Sequence, residues 1–253
     1  MTEIRGLYTL WLREVKRYLR DRVRILSSFF QPLLWLVIFG SGIRFAGAVG
    51  NLTTQQYIFP GIIGQTLLFT SMFMGISVIW DREFGFLKEI LVAPISRFSI
   101  FLGKMLGDST DAVIQGVIVF VFGLLLGMKL NLLIFLEALP VMMLITFGLV
   151  SIGLTIASFI ENLESFGVVQ SFVNLPLFFL SGALFPVRGP DVPSWLQTIS
   201  SFNPLTYGVD ALRTIILGDA WTPLEPLYFD LAVIIGFNVV MIIIGTFAFS
   251  RRK

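Results

Sequence analysis

Residues 57–79 read YIFPGIIGQTLLFTSMFMGISVI, and residues 80–97 continue with WDREFGFLKEILVAPISR. The first stretch carries no charge and is long enough to cross a bilayer, which needs about 20 apolar residues. The second stretch is rich in charged side chains and ends where another long apolar stretch begins. Because only helices and closed barrels satisfy their backbone in lipid, this alternation predicts an all-α integral membrane protein.

The composition of the chain agrees with this class. Of 253 residues, 56% are hydrophobic and 13% are charged, whereas soluble domains are roughly a quarter charged. The chain has no Cys, which excludes disulfides, thiol catalysis and thiolate metal sites. It also has no His, the commonest metal ligand and general base. We therefore expect no catalytic residue, no metal and no cofactor in this chain.

Six membrane spans are predicted from the apolar stretches. They lie near residues 26–45, 57–79, 109–128, 132–157, 167–186 and 229–249. Before the first span, residues 5–24 form a basic amphipathic pattern typical of a helix in the membrane interface. The chain is thus predicted to be one transmembrane domain over 1–253. Its parts are the interface helix at 1–25, spans one to five at 26–186, an outer segment with short re-entrant or surface helices at 187–228, and span six with a basic tail at 229–253.

The distribution of Lys and Arg predicts the orientation of these spans. Basic residues are concentrated in the N-terminal 24 residues, between 82 and 104, and at 251–253. The opposite side holds only Arg44, Lys129, Arg188 and Arg213. Because cytoplasmic loops carry the excess of positive charge, both termini are expected in the cytoplasm, with the protein in a plasma or inner membrane.

Several motifs occur in a fixed order along the chain. They lie at 81–97, at 102–104 (Leu-Gly-Lys), at 177–186 (LFFLSGALFP), at 193–196 (Pro-Ser-Trp-Leu) and at 203–213, which begins Asn-Pro-Leu-Thr-Tyr. With them the chain resembles the type-2 ABC transporter permeases, and most of all their daunorubicin-resistance-like drug exporters. The resemblance covers nearly the whole chain. It implies six-span subunits that pair as a dimer, with re-entrant helices before the last span.

The resemblance also implies a short coupling helix that contacts an ATPase between spans two and three. Its residues would be Asp81, Arg82, Glu83, Gly85, Phe86, Leu87, Lys88, Glu89, Pro94, Ser96 and Arg97. Spacing alone favours an ordinary connecting loop that obeys the positive-inside rule. The partners implied are a cytoplasmic ABC ATPase subunit, which would carry ATP and Mg²⁺, a second permease copy or a paralogue, and membrane lipids. No nucleic acid is expected.

In this family the substrate path lies between the two permeases and is lined chiefly by spans two and five. Carried onto this chain, the path residues would be Leu68, Phe69, Met72, Phe73, Phe172, Asn174, Phe178 and Phe179. Phe side chains in a span also commonly face lipid or neighbouring helices, so a structural role is the alternative for each. For Asn174, close to a proline, the alternatives are an interhelical hydrogen bond and a simple kink.

Other polar and small residues within the spans have structural interpretations. Asp108 and Asp111 are expected to open the third span, where carboxylates suit a helix N-terminus. Glu137 lies in the outer part of span four and either has a function or reaches the outer interface. Gly123 and Gly127 form a Gly-x-x-x-Gly pattern that could bring two helices close together.

Four other classes of protein fit less well. A P-loop is absent, because Met105 follows Gly103-Lys104 and Phe98 occupies the position of the first Gly. Gly40-Ser41-Gly42 suggests a serine hydrolase, but the chain has no His for a Ser–His dyad. Secondary transporters need ionisable residues within their spans, and channels need a pore lined by polar residues. The predicted spans of this chain are nearly free of such residues. The sequence therefore predicts an exporter permease for a hydrophobic or amphipathic drug or lipid, with lipid-linked polysaccharide export as the alternative.

Overall fold

The computed structural model describes residues 2–21, 25, 30, 32–35, 38, 52–86, 90, 92, 94–125, 127–190 and 192–250. Over these residues the regular structure is helical, without a strand. The helices are α1 (Thr2–Arg20), α2 (Thr54–Phe73), α3 (Ile76–Glu83), α4 (Arg97–Leu125), α5 (Leu132–Phe159), α6 (Leu163–Phe179), α7 (Ser194–Ser201), α8 (Pro204–Leu217) and α9 (Leu227–Ser250). A single 3₁₀ turn, Gly218–Ala220, follows α8.

Among the described residues, four helical stretches are long and apolar enough to cross a membrane: Thr54–Glu83, which combines α2 and α3, and the helices α4, α5 and α9. Helix α6 is apolar but shorter, with 17 residues. The predicted first span at 26–45 falls mostly outside the described residues. The all-helical membrane class is therefore confirmed, while the complete six-span arrangement stays a prediction.

The stretch predicted as one second span is two helices with a break at 74–75. Helix α2 begins with a capping box, in which the Thr53 hydroxyl accepts from the Gln56 amide and the Gln56 side chain accepts from the Thr53 amide. At the break, Gly75 crosses Gly153 of α5 so closely that a Cβ on Gly75 would lie 2.5 Å from the Gly153 carbonyl oxygen. A glycine is therefore required at this crossing.

Helix α2 is the centre of the bundle and is buried on nearly all sides. Leu67 and Leu68 of α2 pack with Met142 and Leu149 of α5 and with Leu212 of α8 in the main apolar core. Helix α8 belongs to the segment predicted to lie at or dip into the outer face, and it is buried against α2, α5 and α9. Such burial is typical of an element within a bundle rather than on its surface.

Helix α4 begins much earlier than the predicted third span. It starts at Arg97, where the Ser96 hydroxyl accepts from the Ser99 amide, so Asp108 and Asp111 lie in its middle and are buried. The prediction that these carboxylates open the span is wrong, because the apolar stretch marks only the part that suits hydrocarbon. With 29 residues, α4 is about 43 Å long and exceeds a hydrocarbon core of about 30 Å.

The Gly-x-x-x-Gly pattern at 123 and 127 does not form one helix face. Helix α4 ends at Leu125, and Gly127 has φ +78° in the turn that follows. Of these two glycines, Gly123 is the one in a helix contact, because the ring of Phe59 packs against its Cα. The expectation of a two-glycine contact is wrong, because the pattern crosses a helix end that hydropathy alone does not mark.

Candidate functional site

Helix α1 packs along the first half of α4, and two glycines of α4 make this contact possible. A Cβ on Gly103 would lie 2.9 Å from the Leu10 Cβ, and one on Gly107 would lie 2.6 Å from the Glu14 Cβ. Beside them, the Trp11 indole N–H donates to the Thr110 hydroxyl at 3.0 Å. The two helix backbones therefore lie against each other over several turns, as small residues permit.

A buried ion network lies where α1, α3 and α4 meet. The Lys104 amine is fully buried and donates to Asp81 at 2.6 Å and to Glu14 at 3.1 Å. Arg13 donates to the second oxygen of Asp81, and Arg17 pairs with Glu14 at 3.1 Å. Buried charges are tolerated only when they are paired and hydrogen-bonded, so the network fixes the relative positions of the three helices.

Arg82, the residue after Asp81, connects α3 to the end of α5. Its guanidinium donates to the carbonyl oxygens of Ile160 at 2.8 Å and of Ala157 at 3.2 Å. The last carbonyls of a helix have no partner within the helix, and a cation there also suits the helix dipole. Arg82 therefore caps α5 from a neighbouring element.

The chain reverses immediately after α3 and presents aromatic side chains outward. The Gly85 amide donates to the Arg82 carbonyl, and Gly85 has φ +79°, which favours glycine. Phe84 and Phe86 on either side are 69% and 50% exposed. Further along, Val92 is also exposed, at 84%. These side chains leave apolar groups exposed on the segment between α3 and α4.

The far end of this segment is attached to the beginning of α1. The Glu3 carboxylate accepts from the Ser96 amide at 2.9 Å and from the Ser96 hydroxyl at 3.0 Å. Hydrogen bonds from Ser99 and Ser96 hold the pKa of Glu3 below its ordinary value. Gly6 also contacts Ile95, since a Cβ on Gly6 would lie 2.7 Å from the Ile95 Cγ2. Helix α1 thus contacts both ends of the segment between α3 and α4.

The predicted coupling residues fall into distinct places. Asp81 is buried and Arg82 is half-buried, and both bind neighbouring helices. The exposed members are Glu83, Phe86, Pro94 and Ser96, while Gly85 and Arg97 are half-buried. Leu87, Lys88 and Glu89 lie outside the described residues.

Sequence reasoning missed the partners of Asp81, because they come from distant parts of the chain. A detectable signal did exist: Lys104 lies four residues before Asp108 within a mostly apolar stretch, and Glu14 is an acid among the bases of α1. In the described part of the chain, no group of three acidic side chains has the arrangement of a metal site.

Three of the predicted path residues, Phe69, Phe178 and Phe179, belong to an aromatic cluster centred on Phe178. Its ring lies 5.9 Å from that of Phe69, 5.2 Å from that of Phe179 and 5.9 Å from that of Trp35, between centroids. The members of the predicted path divide by exposure: Phe73, Phe172 and Phe179 are exposed, Phe69 is half-buried, and Leu68, Met72, Asn174 and Phe178 are buried.

A small cavity of about 40 Å³, lined by both polar and apolar side chains, lies next to this cluster. Its lining includes Trp35, Gln65, Thr70 and Gln115. The Thr70 hydroxyl donates to the Gln115 side chain at 2.6 Å, whereas neither polar atom of the buried Gln65 amide has a hydrogen-bond partner. Sequence reasoning missed Gln65, although a glutamine in the middle of an apolar span was a visible signal.

At the end of the bundle opposite the ion network, Arg213 holds three elements together. Its guanidinium donates to the carbonyl oxygens of Gly182 at 2.7 Å and of Tyr57 at 3.2 Å, and stacks on the Tyr57 ring at 3.9 Å. On the same helix, Asp210 accepts from the Trp221 indole at 2.8 Å, and burial raises the pKa of Asp210. Arg213 is buried, and its predicted place on the outer side of the membrane stays a prediction.

Comparisons with known proteins agree with these features. Residues 5–217 match the family model described as ABC-2 type transporter. A protein named transport permease ycf38, from Cyanophora paradoxa, is 34% identical over 226 residues, covering 86% of this chain and 76% of the relative. Nodulation protein J of Rhizobium leguminosarum bv. viciae is 26% identical over 231 residues, covering 90% and 87%.

A third relative, from Escherichia coli strain K12, is named multidrug ABC transporter permease YbhR. It is 29% identical over 188 residues, which cover 70% of this chain and 49% of the relative. The family match includes α1, the segment between α3 and α4, and the helices up to α8. The chain therefore belongs to the ABC-2 type transporter family, as a membrane permease subunit and not as an enzyme.

Proposed function

We propose that this permease is the membrane part of an ATP-driven exporter built from two permease copies and a separate ATPase subunit. ABC-2 permeases work with such a subunit, and ATP with Mg²⁺ on that subunit would supply the energy. In the proposed layout the chain is one six-span domain in a plasma or inner membrane, with both termini in the cytoplasm. Helix α1 is the interface helix, and α7 and α8 are the re-entrant helices.

The observation that carries the proposal is the ion network of Lys104, Asp81 and Glu14. It joins α3, which leads into the exposed turn at Phe84, to α1 and to α4 through buried hydrogen bonds. A displacement of that turn would therefore reach three helices together, without a flexible linker between them. Coupling across a molecule requires this kind of packed and hydrogen-bonded connection.

The predicted coupling residues then have two roles. Asp81 and Arg82 position the segment by binding α4 and α5, whereas Glu83 and Phe86 belong to the surface offered to the ATPase. Phe84, which the sequence did not nominate, joins that surface because it is 69% exposed. Leu87, Lys88 and Glu89 remain predicted members of the same surface.

The cargo path is proposed to lie between two copies of the chain, paired as a homodimer. Phe73, Phe172 and Phe179 are exposed on a single copy, so they are available to a second copy or to cargo. Aromatic and aliphatic side chains suit hydrophobic or amphipathic compounds, such as a drug or a lipid. The similarity to a relative named as a multidrug permease supports this class.

Export of a lipid-linked polysaccharide is the second candidate. It is favoured by the small cavity beside the aromatic cluster, where the Gln65 amide has no partner. Amide and hydroxyl groups are the ones that would bind the hydroxyls of a glycan. An apolar cargo would leave these groups unsatisfied, at a cost in affinity.

The coupling proposal is tested by reconstituting the permease with its ATPase in proteoliposomes. The permease is expected to stimulate ATP turnover by its ATPase. We expect Phe84→Ala to lower this stimulated turnover about tenfold, which is the effect of losing roughly 1.4 kcal/mol at an interface. Phe202→Ala is the matched control, because Phe202 is an exposed Phe (85%) distant in the chain from this turn. Equal turnover in both variants would refute the assignment of this surface.

The cargo class is tested in the same proteoliposomes. Labelled drug, phospholipid and lipid-linked glycan are compared for uptake, with Phe179→Ala and Gln65→Leu as variants. A drug or lipid exporter should lose transport with Phe179→Ala and keep it with Gln65→Leu, and a glycan exporter should lose it with Gln65→Leu. Phe247→Ala on α9, where Phe247 is 55% exposed, is the control for removal of an exposed ring.

A further inference from the structure

A groove of about 440 Å³ runs between α1, α4 and α5, away from the aromatic cluster. Its floor is one face of α4, and its walls are the apolar face of α1 and the middle of α5. The residues that define it are Leu7, Trp11, Ser109, Val113, Met143 and Phe147. Its volume falls within the range of about 300–1,000 Å³ that small-molecule sites occupy.

The groove is lined almost entirely by carbon, and α4 and α5 are among the helices suited to cross the membrane. An apolar groove that stays unfilled loses dispersion contacts on its walls. In a bilayer, lipid tails are the abundant apolar groups that reach such a surface. An acyl chain is therefore the occupant that the surroundings supply.

One polar group within the groove lacks a partner. The Ser109 hydroxyl is 1% exposed and makes no hydrogen bond. The neighbouring Thr110 hydroxyl, in contrast, accepts from Trp11 and donates to the Leu106 carbonyl at 2.7 Å. Buried hydroxyls are nearly always hydrogen-bonded, so Ser109 is available to donate to a ligand oxygen such as a lipid ester carbonyl.

The α1 wall is bordered by exposed positive charge. Arg5 directly follows the groove residue Ile4 on α1. Its side chain is exposed. Bases beside an apolar face attract the phosphate groups of anionic lipids.

We propose that this groove binds an anionic phospholipid of the surrounding bilayer. One acyl chain lies along α4 between Trp11 and Met143, the Ser109 hydroxyl donates to an ester oxygen, and Arg5 holds the headgroup phosphate. The bound lipid fills the space between α1 and α5 and so supports α1 on the side that α4 does not contact. This site is independent of which cargo the permease exports.

The test is native mass spectrometry of the full chain released from nanodiscs that contain equal amounts of phosphatidylglycerol and phosphatidylcholine. Wild-type protein should retain phosphatidylglycerol. Met143→Trp fills the groove and should lower retention about tenfold, which corresponds to roughly 1.4 kcal/mol. Leu136→Trp is the matched control, because Leu136 is an exposed residue of α5 that does not line the groove.

The headgroup contact is tested by Arg5→Gln, since this side chain is exposed and its loss should leave folding intact. The preference for phosphatidylglycerol over phosphatidylcholine should fall about fivefold. Arg20→Gln, at another exposed position on α1, is the control.

Three outcomes would overturn the lipid site. The first is equal retention of phosphatidylglycerol by Met143→Trp and Leu136→Trp, and the second is equal retention of the two lipids by wild-type protein. The third is a change of oligomeric state with Met143→Trp and no loss of lipid, which would assign the groove to a second copy of the chain.

Discussion

Lys104 illustrates how a single side chain can fix the position of several helices. Its amine is fully buried and contacts both Asp81 and Glu14, so its charge is compensated within the bundle. Buried ion pairs are weak contributors to net stability, because desolvation offsets much of the attraction. Their removal one member at a time is nevertheless costly, since the remaining charge is left without a partner. The network therefore specifies geometry more than it adds stability.

We expect Lys104→Met to lower the free energy of unfolding by about 3 kcal/mol. This value is at the low end for a broken buried pair, because Arg13 and Arg17 still contact the carboxylates. The measurement is the thermal unfolding midpoint in mild detergent. Lys129→Met, at an exposed position, should leave the midpoint unchanged. Adding Asp81→Leu to Lys104→Met should cost less than the sum of the two single changes, since the two residues are in contact. Strict additivity would contradict the pairing.

Arg213 provides a second residue-scale prediction. We expect Arg213→Lys to destabilise the protein by about 1–3 kcal/mol, because an ammonium cannot reach the Gly182, Ala183 and Tyr57 carbonyls together and leaves some unsatisfied. The same unfolding measurement checks this, with Arg5→Lys at an exposed position as the control. A stable Arg213→Lys variant would mean that charge alone, and not the planar guanidinium, holds these elements.

Among the elements, the pair α1 and α4 depends on two small residues. We expect Gly107→Ala to push α1 away, because the new Cβ would lie 2.6 Å from the Glu14 Cβ. The shift should also weaken the pairing of Glu14 with Lys104 and lower the unfolding midpoint. Gly236→Ala is the matched control, since Gly236 of α9 has open space at its Cβ position and alanine favours a helix by about 1 kcal/mol. Equal midpoints for both variants would contradict the close packing of α1 on α4.

The element boundaries separate what hydropathy predicts from what it does not. The predicted span at 132–157 corresponds closely to α5, because an apolar helix continues until its residues no longer suit lipid. Helix α4 extends well before its predicted span, because Ser96 and the packing of α1 stabilise turns that contain Lys104 and Asp108. The sequence predicts α1 as an interface helix, but it does not predict that α1 packs on α4.

At the scale of the whole molecule, the sequence pattern also does not show which helices meet at the candidate site. The motif at 81–97 predicted the segment between α3 and α4, yet it nominated Asp81 for contact with an ATPase. The structure has Asp81 buried beside Glu14 and Lys104, residues from two other helices. Helical periodicity relates residues of one helix only, so three helices that meet around one amine cannot be derived from it.

The last prediction concerns α1 and the segment between α3 and α4 as one rigid unit. The chain has no Cys, so a pair introduced as Gly6→Cys and Ile95→Cys can form only one disulfide within a copy. The Cβ atoms would be 3.5 Å apart, within the range of about 3.5–4.5 Å that a disulfide needs. We expect complete cross-linking on oxidation, with transport and ATP turnover at the level of the reduced protein, because the two elements move together.

The single Gly6→Cys variant, oxidised in parallel, is the control for a bond between copies. If oxidation stops transport in the double variant and reduction restores it, then α1 separates from the segment in each cycle, and the ion network around Lys104 is a contact that opens rather than a fixed joint.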